Sequence, residues 1–247
     1  MWFNTEYYHL LYQHRNDTEA QLFINNLANY CHFEQLNPAR GLDLACGKGR
    51  HSLFLAQKFP FLDIWGLDLA ADSIAAAQTQ AQNLGLQNCH FGVQDILAPL
   101  DKYAKFGVIL NLFTSFGYFD TDDLHLQILK NVRAALAENG FFVLDYMNAD
   151  KVAKNLVPAD FQQVGHINFH IERKLEQGFI RKYIRVEDPR QDAGAIQFSE
   201  QVRAYSLADF EQLFAAAGLK IRAVFGDYDL NSFDPAQSPR LILVAQR

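Results

Sequence analysis

The chain has little of what would tie it to an oxidising compartment, a membrane or a polyanion. Its 247 residues include three cysteines, Cys31, Cys46 and Cys89. None belongs to a C-x-x-C pair, which argues against a disulfide framework and a structural zinc site. Scattered thiols of this kind are ordinarily buried and reduced. No apolar run reaches the roughly 20 residues needed to span a bilayer, and Met1-Trp2-Phe3-Asn4 lacks the basic-then-apolar pattern of a secretion signal. An excess of cations is missing too. The formal charge is -6, whereas nucleic-acid binding draws heavily on Lys and Arg neutralising phosphates. The eight histidines show no metal-ligand spacing such as H-E-x-x-H, so no metal is expected. These absences predict a soluble, cytoplasmic protein with neither a membrane nor a nucleic-acid partner. They leave the oligomeric state open.

What is present is a regular alternation of helical and strand patterns, with no repeat, low-complexity tract or linker to divide it. The pattern predicts helices over 18–35, 50–58, 72–84, 121–137 and 206–217. Strands are expected at Gly41–Ala45, Phe61–Leu67, Cys89–Val93, Phe106–Leu112, Phe141–Tyr146, Leu219–Phe225 and Leu241–Ala245. Asp72 or Ser73 is the expected cap of the third helix. This order indicates an α/β fold with a parallel sheet covered by helices on both faces. Between about Phe161 and Tyr205 the alternation changes to period two, which predicts an inserted antiparallel β-meander. The organisation expected is a single domain over 1–247, with an N-terminal flap and helix at 1–36 and an inserted substrate cap at 148–205.

The loop after the first strand carries the chemistry. Gly47 and Gly49 allow a tight turn and close approach of a ligand, and the helix that follows directs its free N–H groups at whatever the loop holds. Three acids at successive strand ends narrow the choice. Asp43 would repel a pyrophosphate but attract an ammonium group. Asp68 stands where a carboxylate accepts hydrogen bonds from ribose hydroxyls. Asp95 is placed to accept from an exocyclic amine. The set suits a cationic adenosine ligand better than a dinucleotide, although Ser52 at the third glycine position is small enough to keep NAD in view.

Leu42-Asp43-Leu44-Ala45-Cys46-Gly47-Lys48-Gly49-Arg50 resembles the first motif of class I S-adenosylmethionine-dependent methyltransferases. Gly66-Leu67-Asp68-Leu69-Ala70 resembles their second, and Gln94-Asp95-Ile96 their adenine-contacting motif. Asn111 to Gly117 falls where the family's fourth strand ends. The match in order and spacing runs from about residue 40 to 147, and the elements at 206–245 fit the family's closing helix and strand pair, which implies a final antiparallel strand in a Rossmann-like sheet. The resemblance implies S-adenosylmethionine as cofactor. Asp43, Ala45, Cys46, Gly47 and Gly49 would surround its methionine part, with the backbone of Asn111 and Leu112 near the ammonium. Asp68 would hold the ribose with Leu69 beside the adenine, while Gln94, Asp95 and Ile96 would hold the adenine edge.

Ligands of open α/β sheets bind beyond the carboxyl ends of the strands. The insertion leaves from that rim, so it is expected to roof the pocket. Phe116, Arg203 and Tyr205 would lie nearby, as would Tyr228 and Arg240 on the 226–240 loop; Tyr12 and Arg15 belong to the N-terminal flap above. A roofed polar and aromatic pocket suits a small acceptor. The expected reaction is in-line methyl transfer to a nitrogen or oxygen nucleophile, driven largely by positioning. The candidates for a general base are Tyr8, Tyr118, Asp145 and His9. An RNA or protein acceptor, or a binding protein without turnover, are the alternatives.

Overall fold

A computed structural model of the chain describes residues 2–12, 17–103, 105–191 and 194–247. Seven strands form one sheet: β1 (Arg40–Leu44), β2 (Asp63–Asp68), β3 (Cys89–Val93), β4 (Phe106–Asn111), β5 (Leu136–Met147), β10 (Lys220–Phe225) and β11 (Arg240–Gln246). Their spatial order is β3-β2-β1-β4-β5-β11-β10. β11 pairs antiparallel with both β5 and β10, while the pairs made by β1, β2, β3, β4 and β5 among themselves are parallel. The chain reverses its direction of travel across the sheet at β1, so β1 and β4 part there. That is where ligands settle in open α/β sheets.

Apolar runs explain the centre of the sheet. Every residue of β4 is buried, and β1 is buried from Gly41 onward, as strands covered on both faces require. One face packs on α2 (Asp17–Tyr30), α3 (Arg50–Lys58) and α4 (Ala71–Asn83) through Phe23, Leu27, Leu53 and Ile74. The other packs on α5 (Asp122–Ala135) and α7 (Leu207–Ala217) through Ile128, Val132, Phe210 and Phe214. α7 begins with a reciprocal capping box between Ser206 and Asp209 and stops at Gly218, whose φ of 74° only glycine adopts easily.

A second, four-stranded antiparallel sheet holds β6 (Ala159–Val164), β7 (Ile167–Glu176), β8 (Phe179–Glu187) and β9 (Ile196–Arg203) in sequential order. The expected meander is therefore present with one strand more at its start. Two short helices were not foreseen, α1 (Glu6–Leu11) and α6 (Ala149–Lys154). Several expected boundaries need correction. The helix before β1 ends at Tyr30, followed by a short 3-10 turn at Phe33–Gln35. The cap of α4 is Ala70, with Asp72 and Ser73 inside its first turn. β5 begins at Leu136, inside the segment read as helix, because Leu136 pairs with Phe106 before the register shifts and Phe141 takes up pairing with Val108. Asn139 and Gly140 sit in that bulge.

α1 lies on the inner face of the second sheet. Trp2, Tyr7 and Leu11 are buried with Ile167, Phe169, Ile171, Ile184 and Val186 in a third apolar core. No helix among the described residues is long and apolar enough to cross a membrane.

Candidate active site

The bend after β1 is built by backbone geometry. Ala45, Gly47 and Gly49 all have positive φ (60°, 57° and 76°). Asp68 at the tip of β2 braces the bend: its two oxygens accept the Gly47 and Ala70 amides, each at 2.8 Å. Gly49 is required for a different reason. A Cβ there would stand 2.6 Å from the Phe91 ring, and one on Gly66 would stand 2.5 Å from it. Phe91 thus fills the space those side chains would need. A Cβ on Gly47 would meet no atom within 4 Å, so its open side is the space of the cleft.

A cavity of about 520 Å³ opens above this bend. Its floor contains Asp43, Ala45, Cys46, Gly47, Asp68, Leu69, Gln94, Asp95, Ile96 and Leu112, ten of the twelve positions the sequence assigns to the cofactor. Asp43 is 1% exposed and accepts the Ser52 hydroxyl at 2.7 Å. Burial, reinforced by the charge of Asp68, pushes its carboxyl up to about 6 against the opposing Ser52 bond. Leu69 presents half of its surface to the cleft, 51% exposed, as an apolar platform. Asp95 anchors its own loop by accepting the Leu97 amide at 2.9 Å. Two positions stay behind the wall. Gly49 serves the packing on Phe91, and Asn111 uses its amide to hold the Leu44 carbonyl at 2.8 Å. The Asn111 side-chain oxygen is buried and accepts no hydrogen bond among the described residues.

The opposite wall is aromatic. Phe3, Tyr8, His9 and Tyr12 come from the N-terminal segment, and Tyr118 and Phe119 from the loop after β4. Phe3 packs edge-on against both Tyr8 and Tyr118, with ring centroids 5.3 and 5.2 Å apart. Tyr8 and Tyr12 are 4.9 Å apart. Three of the four candidate bases, Tyr8, His9 and Tyr118, thus share the cavity. Arg15 lies outside the described residues.

Several expectations about the acceptor side are corrected by burial. Asp145 does not line the cavity; it is fully buried, bonded to the Phe113 amide at 2.8 Å, the Tyr228 hydroxyl at 3.1 Å and Arg240 Nε at 2.7 Å. It fixes the Phe113–Thr114 backbone, where both residues have φ of 59°. Tyr228 and Arg240 belong to this brace, one layer behind Phe113, with the Tyr228 and Phe113 rings stacked at 5.9 Å. Phe116 is 1% exposed in the core against α5 and α7. Arg203 and Tyr205 line a separate hollow of about 350 Å³ beside α5 and α7. There Tyr205 donates to Asp122 at 2.6 Å and sits 2.9 Å from His125 Nδ1. The insertion does not roof the pocket either: among the described residues no lining side chain comes from 148–205. It supports α1, whose Tyr8 and His9 line the cavity.

The sequence reading missed Phe3, Leu44, Lys48, Arg50, His51, Ala70, Ser73, Phe113, Ser115 and Phe119 as lining residues. Most of them flank a motif residue, and that adjacency was the available signal. His51 is 6% exposed with its ring 5.6 Å from Phe113.

This geometry agrees with what the chain resembles. Residues 38–200 match the family described as "Methyltransferase domain", and the chain belongs to that family. Among solved structures, an S-adenosylmethionine-dependent methyltransferase from Clostridium acetobutylicum ATCC 824 superposes with a TM-score of 0.81 at 23% identity, covering 97% of this chain and 95% of that one. A dTDP-3-amino-3,6-dideoxy-alpha-D-glucopyranose N,N-dimethyltransferase of Streptomyces fradiae is 25% identical over 191 residues, 75% of this chain and 71% of its own length. The release factor glutamine methyltransferase of Escherichia coli K12 is 29% identical over 133 residues, 44% of this chain and 47% of its own. The protein is an S-adenosylmethionine-dependent methyltransferase. Its residues fit that cofactor: the open side of Gly47 and the acids Asp43, Asp68 and Asp95 line one cavity.

Proposed function

We propose that the protein methylates a small molecule at nitrogen. The observation that carries this is the aromatic wall: Phe3, Tyr8, Tyr12, Tyr118 and Phe119 face the cofactor floor across one cavity. Clustered rings attract a cationic amine and hold its uncharged body by apolar contact. The Streptomyces fradiae relative, named as an amino-sugar N,N-dimethyltransferase, supports the same acceptor class.

The cofactor supplies an activated methyl group when bound. Everything else falls to the chain. Asp43 and the Asn111–Leu112 strand end would orient the methionine ammonium, Asp68 the ribose, and Leu69, Asp95 and Ile96 the adenine. The aromatic wall excludes water and sets the line of approach, the positioning on which such a transfer depends. Tyr12 does not serve as base, because burial and the neighbouring Glu200 carboxylate push its phenol far above the usual range. His9 is the group on the wall whose neutral side chain can take up an ammonium proton, whereas Tyr8 and Tyr118 would do so only as phenolates.

The test is a panel of amines (amino-sugar nucleotides among them), carboxylates and phenols, offered with methyl-labelled S-adenosylmethionine. Label is expected in the amines. Label confined to phenols or carboxylates would overturn the nitrogen assignment, and label appearing only in an added protein fraction would favour the release-factor relative's kind of acceptor.

A further inference from the structure

The second sheet offers no side chain to the cavity, yet one of its charged pairs reaches the aromatic wall. β8 and β9 place Ile180, Ile184 and Val186 on one face with their register partners Val202, Phe198 and Ile196, and of these Ile184, Val186, Phe198 and Ile196 pack in the core that holds α1. In the middle of that face the pair is Lys182 opposite Glu200. Their side chains are only 15% and 14% exposed, with the ammonium 3.4 Å from the carboxylate. A poorly hydrated ion pair between apolar strands contributes little to stability for its desolvation cost. Its other contacts explain its place better.

Glu200 receives two donors from the N-terminal segment. Trp2 Nε1 donates to one carboxylate oxygen at 2.9 Å, and the Tyr12 hydroxyl donates to the other at 2.6 Å. Lys182 donates to the Tyr12 oxygen and lies 4.6 Å from the centre of the Tyr12 ring. Trp2 packs at a tilt against Phe198 and meets Tyr8 edge-on, at 4.7 and 5.7 Å. One carboxylate on β9 therefore grips both ends of the segment whose Phe3, Tyr8, His9 and Tyr12 line the cavity. A second anchor, the Tyr7 hydroxyl bonded to Asp188 at 2.8 Å, holds a side of α1 that contributes nothing to the cavity lining.

We propose that Glu200, with Lys182, is a positioning residue for the active site: it holds the N-terminal aromatic wall over the cofactor and so sets how long the cofactor stays and where the acceptor meets it. The proposal rests on the reading that this cavity binds S-adenosylmethionine and its product. Neither residue touches the reacting atoms. They act through Trp2 and Tyr12.

The experiment uses the full chain in a Trp65→Phe background, which leaves Trp2 as the reporter of the two tryptophans. Three variants are compared: Glu200→Ala, Glu200→Gln, and the exchange Lys182→Glu with Glu200→Lys. S-adenosylhomocysteine is the probe. The loss of charge-assisted bonds predicts that Glu200→Ala speeds its dissociation about tenfold in stopped flow and opens Trp2 to iodide quenching, with Glu200→Gln intermediate. The exchange variant is decisive. It keeps a cross-strand ion pair but sets an ammonium against the Trp2 and Tyr12 donors, so it should recover melting temperature while the fast dissociation and quenching remain. Restoration of all three by the exchange would make the pair a sheet contact only and overturn the proposal; so would a shielded Trp2 and unchanged dissociation in Glu200→Ala. A parent chain that fails to bind S-adenosylhomocysteine would defeat the cofactor reading instead, and quenching of Trp2 would still decide whether Glu200 holds the wall.

Discussion

The two sides of the cavity are built by different means. On the cofactor side each functional group sits within a few residues of a strand tip and is fixed by local backbone: Asp68 accepts amides from the bend it faces and from its own loop, and Asp95 accepts from Leu97 two positions on. On the acceptor side the wall is assembled over great chain distances. Trp2 meets Glu200 across 198 positions and Tyr12 meets Lys182 across 170. Local bends can be read from sequence. Distant side-chain partnerships cannot, because nothing in the periodicity of either segment marks the other.

Three perturbations would break or sharpen this contrast. The largest effect is expected at the seam between the sides, where Asp145 holds the Phe113 backbone. Arg240→Leu removes the cation from a fully buried carboxylate and should cost about 3–5 kcal/mol in denaturant unfolding, the usual penalty for orphaning one member of a buried pair. A loss near the roughly 0.5 kcal/mol of an ordinary surface pair would mean that Asp145 does not need Arg240. Next comes the cofactor side alone. Asp68→Ala removes the brace of the bend and the expected ribose acceptor together, and should weaken S-adenosylhomocysteine about 100-fold in calorimetry through the loss of charge-assisted bonds, with Trp2 fluorescence unchanged. A change at Trp2 would show that the two sides are coupled more tightly than their construction suggests.

The smallest effect is a pH dependence. The Asp43 carboxyl is raised to about 6 by burial, above its ordinary unfolded range. Its contribution to stability without ligand is therefore full below about pH 4 and lost as pH rises through about 6. A ligand ammonium beside it reverses the preference, because a cation favours the carboxylate. Affinity for S-adenosylhomocysteine should accordingly rise through pH 6 and level off, about tenfold weaker at pH 5 than at pH 7.5. In Asp43→Asn that slope should vanish. Its persistence would place the titrating group elsewhere.

Much of the fold was legible in the chain. Short apolar runs separated by capped helices marked the parallel strands, and twin glycines with acids at the strand tips marked the floor of the cavity. β6 was missed because Ala159–Val164 alternates exposed with half-buried residues and carries little apolar signal. α1 was missed because six residues rich in tyrosine do not display a helical period. Asp145 was misread for an instructive reason. Its place at the end of a central strand was right, but whether such an acid faces solvent, ligand or an arginine depends on Tyr228 and Arg240, more than 80 positions away. The insertion was placed on the proper rim, yet that rim is shared with the N-terminal segment, and only packing decides which of the two lies innermost.

The tie between Trp2 and Glu200 also bears on the order in which the molecule is made. Trp2 is translated about 200 residues before β9 and must wait for it to find this partner. The strands from β1 to β5, which pair in parallel among themselves, are translated before that moment. A nascent chain would thus possess its nucleoside cleft while its entrance still stood open, and the door would be hung only once the second sheet had been translated.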